Sequence, residues 1–437
     1  MAGARRARQE TRREIERFLS TEPVQVAELD LGDGEEEAGL RPGPGSPPVT
    51  SGPVFVLVRR AGRPVGTLLG RVPEGADPTR TLAELARRLH PGAPPAFAPP
   101  HGPPSAPPSA GVVVATRERA GQLARALDSL LAQDHPDYEV VVVDNAPVTG
   151  ETRELVERKY AERVRYVCEP VPGLAVAHNR GLAAVRSEVV AFTDDDVVAD
   201  PRWLTELTAP FAADPRLGCA TGLILPARLR TPAQVLLESH GGFAKGFVPR
   251  TYDPHHPPAD EPLFPFTAGR FGSGANMAFR TAALRAAGGF DPATGAGTRA
   301  RGGDDLYGFV RVLAEGRRLH YTPTALVWHH HRETWRDLET QAYGYGAGLT
   351  AYLTAILVNR PALLPAFLAR LPRGLAHARG LTAVRDTDGG GAPGDHDERT
   401  HPWPRRLSRL QRRGMVYGPV GYLRARYALR SAPRGTR

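Results

Sequence analysis

Apolar runs and helix-period segments alternate along the middle of this chain. The runs are short, rich in β-branched side chains and bounded by polar residues, a pattern typical of buried strands. Between the first two runs, Leu123, Leu127 and Leu130 recur at helical spacing. Strands are predicted at residues 112–116, 140–143, 164–167 and 189–193, and helices around residues 123–130, 151–160 and 174–185. This alternation predicts an α/β fold, in which a mostly parallel sheet is sandwiched by helices.

The remaining sequence divides into smaller units by composition. Near the N-terminus, short runs predict strands at residues 54–58 and 64–69, followed by a helix at residues 81–89. Later stretches rich in Pro, Ala and Gly, or in Gly and Asp, are typical of linkers. The predicted organisation is a small α+β module of unknown role (1–92), a Pro/Ala/Gly-rich linker (93–110), the α/β domain (111–348), an amphipathic helical extension (349–385), a flexible linker (386–401) and a basic C-terminal segment (402–437).

Three consecutive carboxylates, Asp194, Asp195 and Asp196, follow the last predicted strand of the series. Ligands of open α/β sheets bind at the carboxyl ends of strands. A divalent cation that bridges carboxylate and phosphate oxygens would relieve the repulsion between these like charges. The alternative is a solvated acidic turn, because Asp favours turns and helix starts. Since Asp200 and Pro201 already provide a helix start downstream, we favour the ligand-binding interpretation.

A second carboxylate, Asp144, follows the strand predicted at residues 140–143. The carboxyl ends of parallel strands meet at one edge of a sheet, so Asp144 and the acidic triad are expected to converge there. Packing alone gives little reason for such convergence, and a ligand site is the default interpretation.

Composition narrows the class of ligand only slightly. The formal charge is +9 over 437 residues, but the basic residues are mostly dispersed arginines without zinc-finger spacing or an RNP-like motif. Diffuse positive charge also suits phosphate-bearing substrates and acidic membrane surfaces. Cys168 and Cys219 cannot form a disulfide framework, and the charged start of the chain has no apolar signal segment. We therefore expect a cytoplasmic protein and do not favour nucleic acid as its partner.

These motifs resemble the family 2 glycosyltransferases of the GT-A fold, a Rossmann-like class that uses nucleotide-diphospho-sugars, over residues 111–348. The resemblance implies that Asp144 contacts the base, Arg180 the diphosphate and Asp194 the ribose, while Asp196 holds the metal. The full set of implied donor contacts is Thr116, Arg117, Asp144, Asn179, Arg180, Asp194 and Asp195. The alternatives are that Asp144 is an ordinary turn residue and that Asn179 and Arg180 are an exposed helical pair.

The segment at residues 272–280 is similar to the part of the family that lines the acceptor side. Its glycines allow a close backbone approach to a sugar. The resemblance implies acceptor-side positions for Gly274, Asn276 and Arg280. Glycine-rich loops are common, so this segment alone is a weak signal.

Asp304 and Asp305 precede a helical stretch at residues 306–314 and align with the Glu-Asp pair of the family. The second carboxylate of that pair is the general base, which implies this role for Asp305. Inverting sugar transfer needs a carboxylate that takes the proton of the acceptor hydroxyl while a charged diphosphate departs. The alternative is that the pair only caps the helix. Tyr307 stands where many relatives carry another acidic residue, so acceptor contacts there are expected to differ.

Three histidines follow one another at residues 329–331. Neutral imidazole is a ligand for Mn²⁺-like metals, and in a strand His329 and His331 point to one face while His330 points to the other. By resemblance His329 is the preferred metal ligand, with His331 next. A solvated histidine cluster is the alternative.

The C-terminal sequence bears on location. Residues 402–437 hold ten arginines and no acidic residue, and part of this stretch would form a basic amphipathic helix on an anionic membrane face. The apolar residues 349–371 are interrupted around Arg360 and Pro361, so they are too broken to span a bilayer but can lie on one. A plain solvated tail is the alternative.

Together with these patterns, the resemblance implies an inverting glycosyltransferase that depends on Mg²⁺ or Mn²⁺. It would move a sugar from a nucleotide-diphospho-sugar to a hydroxyl of a saccharide, lipid-linked glycan or small molecule, in cell-envelope glycan, glycolipid or secondary-metabolite synthesis. We expect it in the cytoplasm, peripheral at the inner face of the cell membrane. The alternative is a non-catalytic sugar-nucleotide or glycan-binding protein with a degenerate site.

Overall fold

The computed structural model of the chain describes residues 22–32, 38–91, 107–240, 242–383 and 403–431. Its N-terminal part is a four-stranded sheet in the order β2-β1-β3-β4, packed against one helix. The elements are β1 (Gln25–Asp30), β2 (Gly39–Pro42), β3 (Gly52–Arg60), β4 (Arg63–Val72) and α1 (Pro78–Leu89). Alternate residues of β3, such as Val54 and Val56, pack with Leu82 and Ala86 of α1 into a small core. The sequence predicts β3, β4 and α1, but it does not reveal the short β1 and β2.

This N-terminal module packs directly on the main body. Leu57 joins a cluster of buried residues with Leu225 and Trp328 of the main sheet. The buried Arg59 lies 2.6 Å from the carboxylate of Asp200. Asp200 was expected to begin a helix, but the helix begins at Trp203, and the carboxylate of Asp200 contacts Arg59 and the N–H of Arg202 instead.

The main sheet has nine strands among the described residues. The strands are β5 (Ala110–Thr116), β6 (Tyr138–Asn145), β7 (Val164–Glu169), β8 (Val189–Asp194), β9 (Val197–Ala199), β10 (Leu217–Pro226), β11 (Arg250–Tyr252), β12 (Asn276–Arg280) and β13 (Arg318–His329). Their order is β11-β13-β10-β12-β8-β5-β6-β7, and β9 pairs with the end of β13. Strands β8, β5, β6 and β7 run parallel, as do β10 and β13, while β12 is antiparallel to both β8 and β10.

Helices flank this sheet. They are α2 (Ala120–Leu130), α3 (Glu151–Leu155), α4 (Leu174–Ala184), α5 (Trp203–Ala213), α6 (Pro232–Ser239), α7 (Thr281–Ala286), α8 (Asp304–Ala314), α9 (Trp335–Asn359), α10 (Leu364–Ala383) and α11 (Arg405–Ser431). The two faces of each central strand are buried in different clusters: Val113 and Val141 lie in one, and Val112 and Val140 in the other. The prediction of a mostly parallel sheet between helices is confirmed.

The last helix, α11, is part of the core. Tyr422 is fully buried, and it shares a cluster with residues of the main sheet. Glycines allow α11 to lie against α9 at backbone distance: a Cβ at Gly414 would clash with the Tyr343 carbonyl, and one at Gly346 with the Gln411 carbonyl. The predicted amphipathic helix is present, and the alternative of a plain solvated tail is wrong for this helical part, because one face of the helix is buried. Contact of residues 402–437 with a membrane stays a prediction.

None of the described helices is by itself long and apolar enough to cross a membrane. Helix α9 and the segment Pro361–Gly374 have the required length and composition together, but they are bent by 110°. The predicted linkers at 93–110 and 386–401 lie outside the described residues, apart from residues 107–110.

Candidate active site

The acidic triad lies at the carboxyl end of β8, and its side chains alternate. Asp195 turns to one side, where its carboxylate accepts a hydrogen bond of 2.6 Å from the Thr116 hydroxyl and lies 3.0 Å from the Arg119 guanidinium. Asp194 and Asp196 turn to the other side, toward His329. At one edge of the sheet, the triad therefore contributes carboxylates to two neighbouring groups of residues, one around Arg119 and one around His329.

Asp194, Asp196 and His329 form a group that can hold a metal ion, with ligand atoms all within 4.8 Å of one another. The His329 Nε2 lies 3.2 Å from Oδ1 of Asp196 and 3.9 Å from Oδ2 of Asp194. Strand β9 follows Asp196 directly and pairs antiparallel with β13, with Val197 opposite His329. Carboxylate oxygens and an imidazole nitrogen fit Mg²⁺ or, better, Mn²⁺.

His331 lies behind His329 rather than in this group. Its Nδ1 is 3.1 Å from Nδ1 of His329, and its Nε2 is 3.1 Å from the Glu238 carboxylate. If His331 donates to Glu238 through Nε2, its Nδ1 accepts from His329, and the Nε2 of His329 is then left with a lone pair for a metal. The expectation that His331 is itself a metal ligand is wrong, because both of its ring nitrogens are engaged.

The charges of this group favour a cation. Burial, and then the neighbouring Asp196, raise the pKa of Asp194. Burial opposes ionisation of Asp196 as well, but the charges of His329, Arg332 and Arg119 hold the pKa of Asp196 below its ordinary value. The neighbouring carboxylates of the half-buried Asp194 and the buried Asp196 repel each other when both are ionised, and a bound cation would remove that repulsion.

Asp144 ends β6 at the same edge and is fully buried. The Tyr166 hydroxyl donates a 2.9 Å hydrogen bond to Oδ2 of Asp144. The other oxygen, Oδ1, has no hydrogen-bond partner among the described residues. Burial raises the pKa of Asp144. An unpartnered buried carboxylate oxygen is unusual in a native protein, and it is consistent with the predicted contact to a donor base.

The other predicted donor residues differ in their placement. The Asn179 amide donates to the Phe290 carbonyl (2.8 Å) and accepts from the Phe290 N–H (2.9 Å). This amide fastens α4 to a loop, so the structure contradicts its role as a donor contact. Arg117 is exposed after β5, and Arg180 is exposed on α4. For these two arginines, donor contact stays a prediction.

Gly274 and Asp305 meet on the acceptor side as expected. The Gly274 N–H donates to Oδ2 of Asp305 (2.9 Å), and the Leu306 N–H donates to Oδ1 (2.8 Å). A Cβ at Gly274 would lie 3.3 Å from the Asp305 Cβ, so the small residue permits this close approach. Strand β12 begins at Asn276, which pairs with Thr193 near the end of β8. The loop that contains Gly274, just before β12, therefore lies at the sheet edge that carries the triad.

The structure removes two other residues from the acceptor side. Asn276 is fully buried; it accepts a hydrogen bond from the Trp203 indole and donates to two carbonyls of neighbouring strands. Arg280 lies at the far end of β12, opposite Val189 at the start of β8, and it pairs with Glu188. Because β12 runs antiparallel to β8, its last residue lies away from the carboxylate edge.

Asp304 and Asp305 occupy different environments. Asp304 is buried, and its Oδ2 lies 3.1 Å from Nδ1 of His178, which packs against Phe192 and Phe290. Asp305 is partly exposed, and burial, followed by the charge of Asp304, raises its pKa. Asp305 is therefore the carboxylate that a substrate can reach.

Tyr307 lies on the inner side of α8, away from this carboxylate. Its hydroxyl accepts a 3.2 Å hydrogen bond from the Asn359 amide, which also donates to Asp291. Tyr422 of α11 donates to the same Asp291 oxygen (2.8 Å). Tyr307 thus takes part in the packing of the C-terminal helices, and the expectation that acceptor contacts differ there stays a prediction.

Four residues of the site were not predicted from the sequence: Arg119, Tyr166, His178 and Glu238. Arg119 follows the first strand closely enough that its charge could have been paired with the triad. His178 adjoins the predicted Asn179. Tyr166 and Glu238 reach the site only through the fold, and no local pattern marks them.

The matched family and relatives agree with this geometry. The family model described as "Glycosyltransferase like family 2" matches residues 107–343, more than half of the chain. Pre-mycofactocin glycosyltransferase of Mycobacterium tuberculosis (strain ATCC 25618 / H37Rv) is 29% identical over 241 residues, which are 54% of this chain and 45% of that protein. Validoxylamine A glucosyltransferase of Streptomyces hygroscopicus subsp. jinggangensis (strain 5008) is 36% identical over 121 residues, 25% of this chain and 28% of that protein. The match thus spans less than half of each relative.

Solved structures are more distantly similar. Mannosyltransferase PcManGT from Pyrobaculum calidifontis, in complex with GDP-Man and Mn²⁺, has 18% identity and a TM-score of 0.42, covering 81% of this chain and 84% of that one. GalNAc-T7 with UDP, GalNAc and Mn²⁺ has 17% identity and a TM-score of 0.41, covering 61% of this chain and 55% of that one.

Proposed function

The chain belongs to glycosyltransferase-like family 2, and from this premise we propose that it transfers a sugar from a nucleotide-diphospho-sugar to an acceptor hydroxyl with inversion. The predicted family is thereby confirmed. The observation that carries the proposed reaction is the placement of two chemical groups at one sheet edge. One is the metal-holding group of Asp194, Asp196 and His329, and the other is Asp305.

Asp305 is the base in this proposal. It accepts the proton of the acceptor hydroxyl as that oxygen attacks the anomeric carbon, and the bond from this carbon to the diphosphate oxygen breaks. The N–H groups of Gly274 and Leu306 hold the carboxylate in one orientation. Its raised pKa makes it a stronger base than an ordinary aspartate, which favours proton transfer.

Asp194, Asp196 and His329 would hold a divalent ion, Mn²⁺ or Mg²⁺, whose charge favours departure of the diphosphate. We assign the donor base to the unpartnered oxygen of Asp144. Arg119, beside Asp195 and Asp196, adds positive charge near the expected diphosphate. The acceptor is proposed only as a hydroxyl compound. Two relatives are named for pre-mycofactocin and validoxylamine A.

A thermal-shift screen of nucleoside diphosphates tests the donor assignment. We expect one of UDP, GDP, TDP or ADP to raise the melting temperature with Mn²⁺ and not with chelator, because a ligand that binds only the folded state stabilises it. Asp196→Ala should abolish the shift, and Asp260→Ala, at an exposed carboxylate, should keep it. A melting-temperature shift that is the same with and without the metal, and the same in Asp196→Ala, would contradict the proposal. With both carboxylate groups in place, the described residues do not favour a non-catalytic protein.

A further inference from the structure

Helix α11 has two apolar faces, although only one of them meets the core. Its inner face carries Gly414, Gly418, Tyr422 and Ala425, all buried against α9 and the sheet. A surface helix normally carries polar side chains on the face opposite its buried stripe. In α11 the opposite face is not purely polar.

The outward face of α11 carries four large apolar residues. Val416, Val420, Leu423 and Tyr427 are spaced by four, three and four positions, so they form one stripe along the helix. Their exposed fractions are 81%, 46%, 53% and 74%. No described element covers this stripe, although exposing so much apolar surface is unfavourable in water.

Exposed large apolar residues are concentrated in the C-terminal helices. Of the thirteen large apolar residues that are exposed in the described part, nine lie in α9, α10 and α11. Helix α10 contributes Leu364, Leu368 and Leu371, while its Phe367 packs inward on Phe266. An exposed apolar stripe such as the one on α11 marks an interaction site.

Positive charge borders the stripe. Arg409, Arg413, Arg424 and Arg430 are exposed on α11, and the helix contains no acidic residue. A second copy of this chain would bring charges of one sign together, which disfavours pairing through this face. The linking residues 384–402 contain one valine and otherwise no large apolar residue, so this segment has too few apolar side chains to cover the stripe. An anionic lipid surface supplies both apolar depth and negative charge.

We propose that the outward face of α11 docks the protein on an anionic membrane, with the helix lying in the plane of the interface. Val416, Val420, Leu423 and Tyr427 enter the boundary of the acyl chains, and the flanking arginines contact lipid phosphates. A basic amphipathic helix on an anionic membrane face is expected from the sequence, and the structure adds which face of α11 is free for that contact, because the inner face is part of the core.

The inner face of α11, opposite the docking face, packs on the segment that leads to Asp305. A Cβ at Gly421 would lie 2.6 Å from the Arg299 carbonyl, and the loop that contains Arg299 leads into Asp304. A Cβ at Gly303 would clash with the backbone of Gly348 in α9.

Co-flotation of the full chain with vesicles tests this proposal. We expect binding to phosphatidylcholine vesicles that contain about one third phosphatidylglycerol, and weaker binding at high salt or without the anionic lipid. The double variant Val420→Ser/Leu423→Ser should lower vesicle binding roughly tenfold, since two apolar contacts with the acyl boundary are lost. A variant with Arg409, Arg413, Arg424 and Arg430 changed to Gln should bind weakly and lose the salt dependence.

The control is Leu69→Ser/Leu89→Ser, which removes two leucines of similar exposure, 54% and 41%, from the N-terminal module. It should bind vesicles like the unchanged protein, and all variants should keep the melting temperature of the parent. Equal binding by the α11 variant and this control would overturn the proposal. Loss of a concentration-dependent dimer, with unchanged vesicle binding, would also overturn it and assign the face to self-association.

Discussion

The site has two halves that are built by different means. The donor half consists of β5, β6 and β8, where Thr116, Asp144 and the acidic triad stand at the carboxyl ends of parallel strands. The acceptor half consists of β12, β13 and α8. A long-range hydrogen bond joins Gly274 to Asp305, and antiparallel pairing of β13 with β9 holds His329 beside Asp196.

The difference shows in how each half depends on distant residues. In the donor half a residue follows its own strand, so the sheet alone determines where it points. In the acceptor half the helix that carries Asp305 is supported by α9, and α9 in turn packs on α11, more than a hundred residues further along. The acceptor half is therefore the one that distant substitutions can damage.

The largest expected effect is at the point where the halves meet. Asp196→Ala removes one of two carboxylates from the metal-holding group, and we expect turnover to fall roughly 10³-fold. Stimulation by Mn²⁺ should disappear while the circular dichroism spectrum stays unchanged. Full turnover of the parent enzyme in the presence of a chelator would show that the reaction needs no metal, and it would refute the metal assignment.

The next effect isolates chemistry in the acceptor half. Asp305→Asn keeps the size of the side chain but removes the base, so kcat should fall roughly 10²-fold or more. Affinity for the nucleoside diphosphate, measured by calorimetry, should stay nearly unchanged, because the donor half is intact. An equal loss of nucleotide affinity would assign Asp305 to the donor half instead.

A pair of glycine substitutions compares the packing of the two halves. At Gly418 of α11, an added Cβ clashes with the backbone of α9, so Gly418→Ala should lower the free energy of unfolding by about 1–3 kcal/mol. At Gly121 of α2 the space is open, so Gly121→Ala should raise that free energy by up to about 1 kcal/mol. Urea denaturation measures both. Equal signs would show that α11 does not constrain the core.

His331 offers a smaller test of how His329 is held. His331→Ala removes the ring that orients His329, and we expect Mn²⁺ affinity to fall roughly tenfold or more, as measured by electron paramagnetic resonance. His330→Ala is the matched control, since His330 follows the end of β13 and is not part of the metal-holding group found among the described residues. If the control lost as much affinity, the metal ligand would have to be reassigned.

The smallest expected effect is a shift in pH dependence. Because the pKa of Asp305 is raised, the activity should fall as the pH drops through that raised pKa. Asp304→Asn removes the neighbouring like charge, so the pKa of Asp305 should fall and the acid limb of kcat/KM should move to lower pH. A limb that stays in place, or moves to higher pH, would show that another group controls it.

The positions of Asp144 and the acidic triad at the sheet edge could be predicted because position along a parallel strand is a local property. Their contacts with the donor stay predictions. Asp144 and the triad emerge at the edge where the pattern of apolar runs predicts them. Asn179 fails because its position on α4 does not show that its amide is bound to Phe290. Arg119 is missed because its reach to Asp195 depends on the loop after β5.

The acceptor half was harder to predict. Asp305 and Gly274 come from resemblance, and their hydrogen bond joins positions 31 residues apart. The prediction for Arg280 is wrong because the direction of β12 could not be predicted from the sequence. Since β12 is antiparallel to β8, its last residue lies at the far edge of the sheet. His331 fails because alternation gives its face but not the Glu238 carboxylate that engages its ring.

The sequence by itself determined the α/β class, the acidic edge and the family, because these follow from short-range periodicity and ordered motifs. Only the tertiary structure decided which carboxylate of each acidic cluster is reachable, that His329 rather than His331 joins Asp194 and Asp196, and that α11 is part of the core. These outcomes depend on burial and on contacts between residues distant in the chain. The same arginine-rich helix reads as a tail in the sequence because periodicity shows that a face is apolar but not what packs against it.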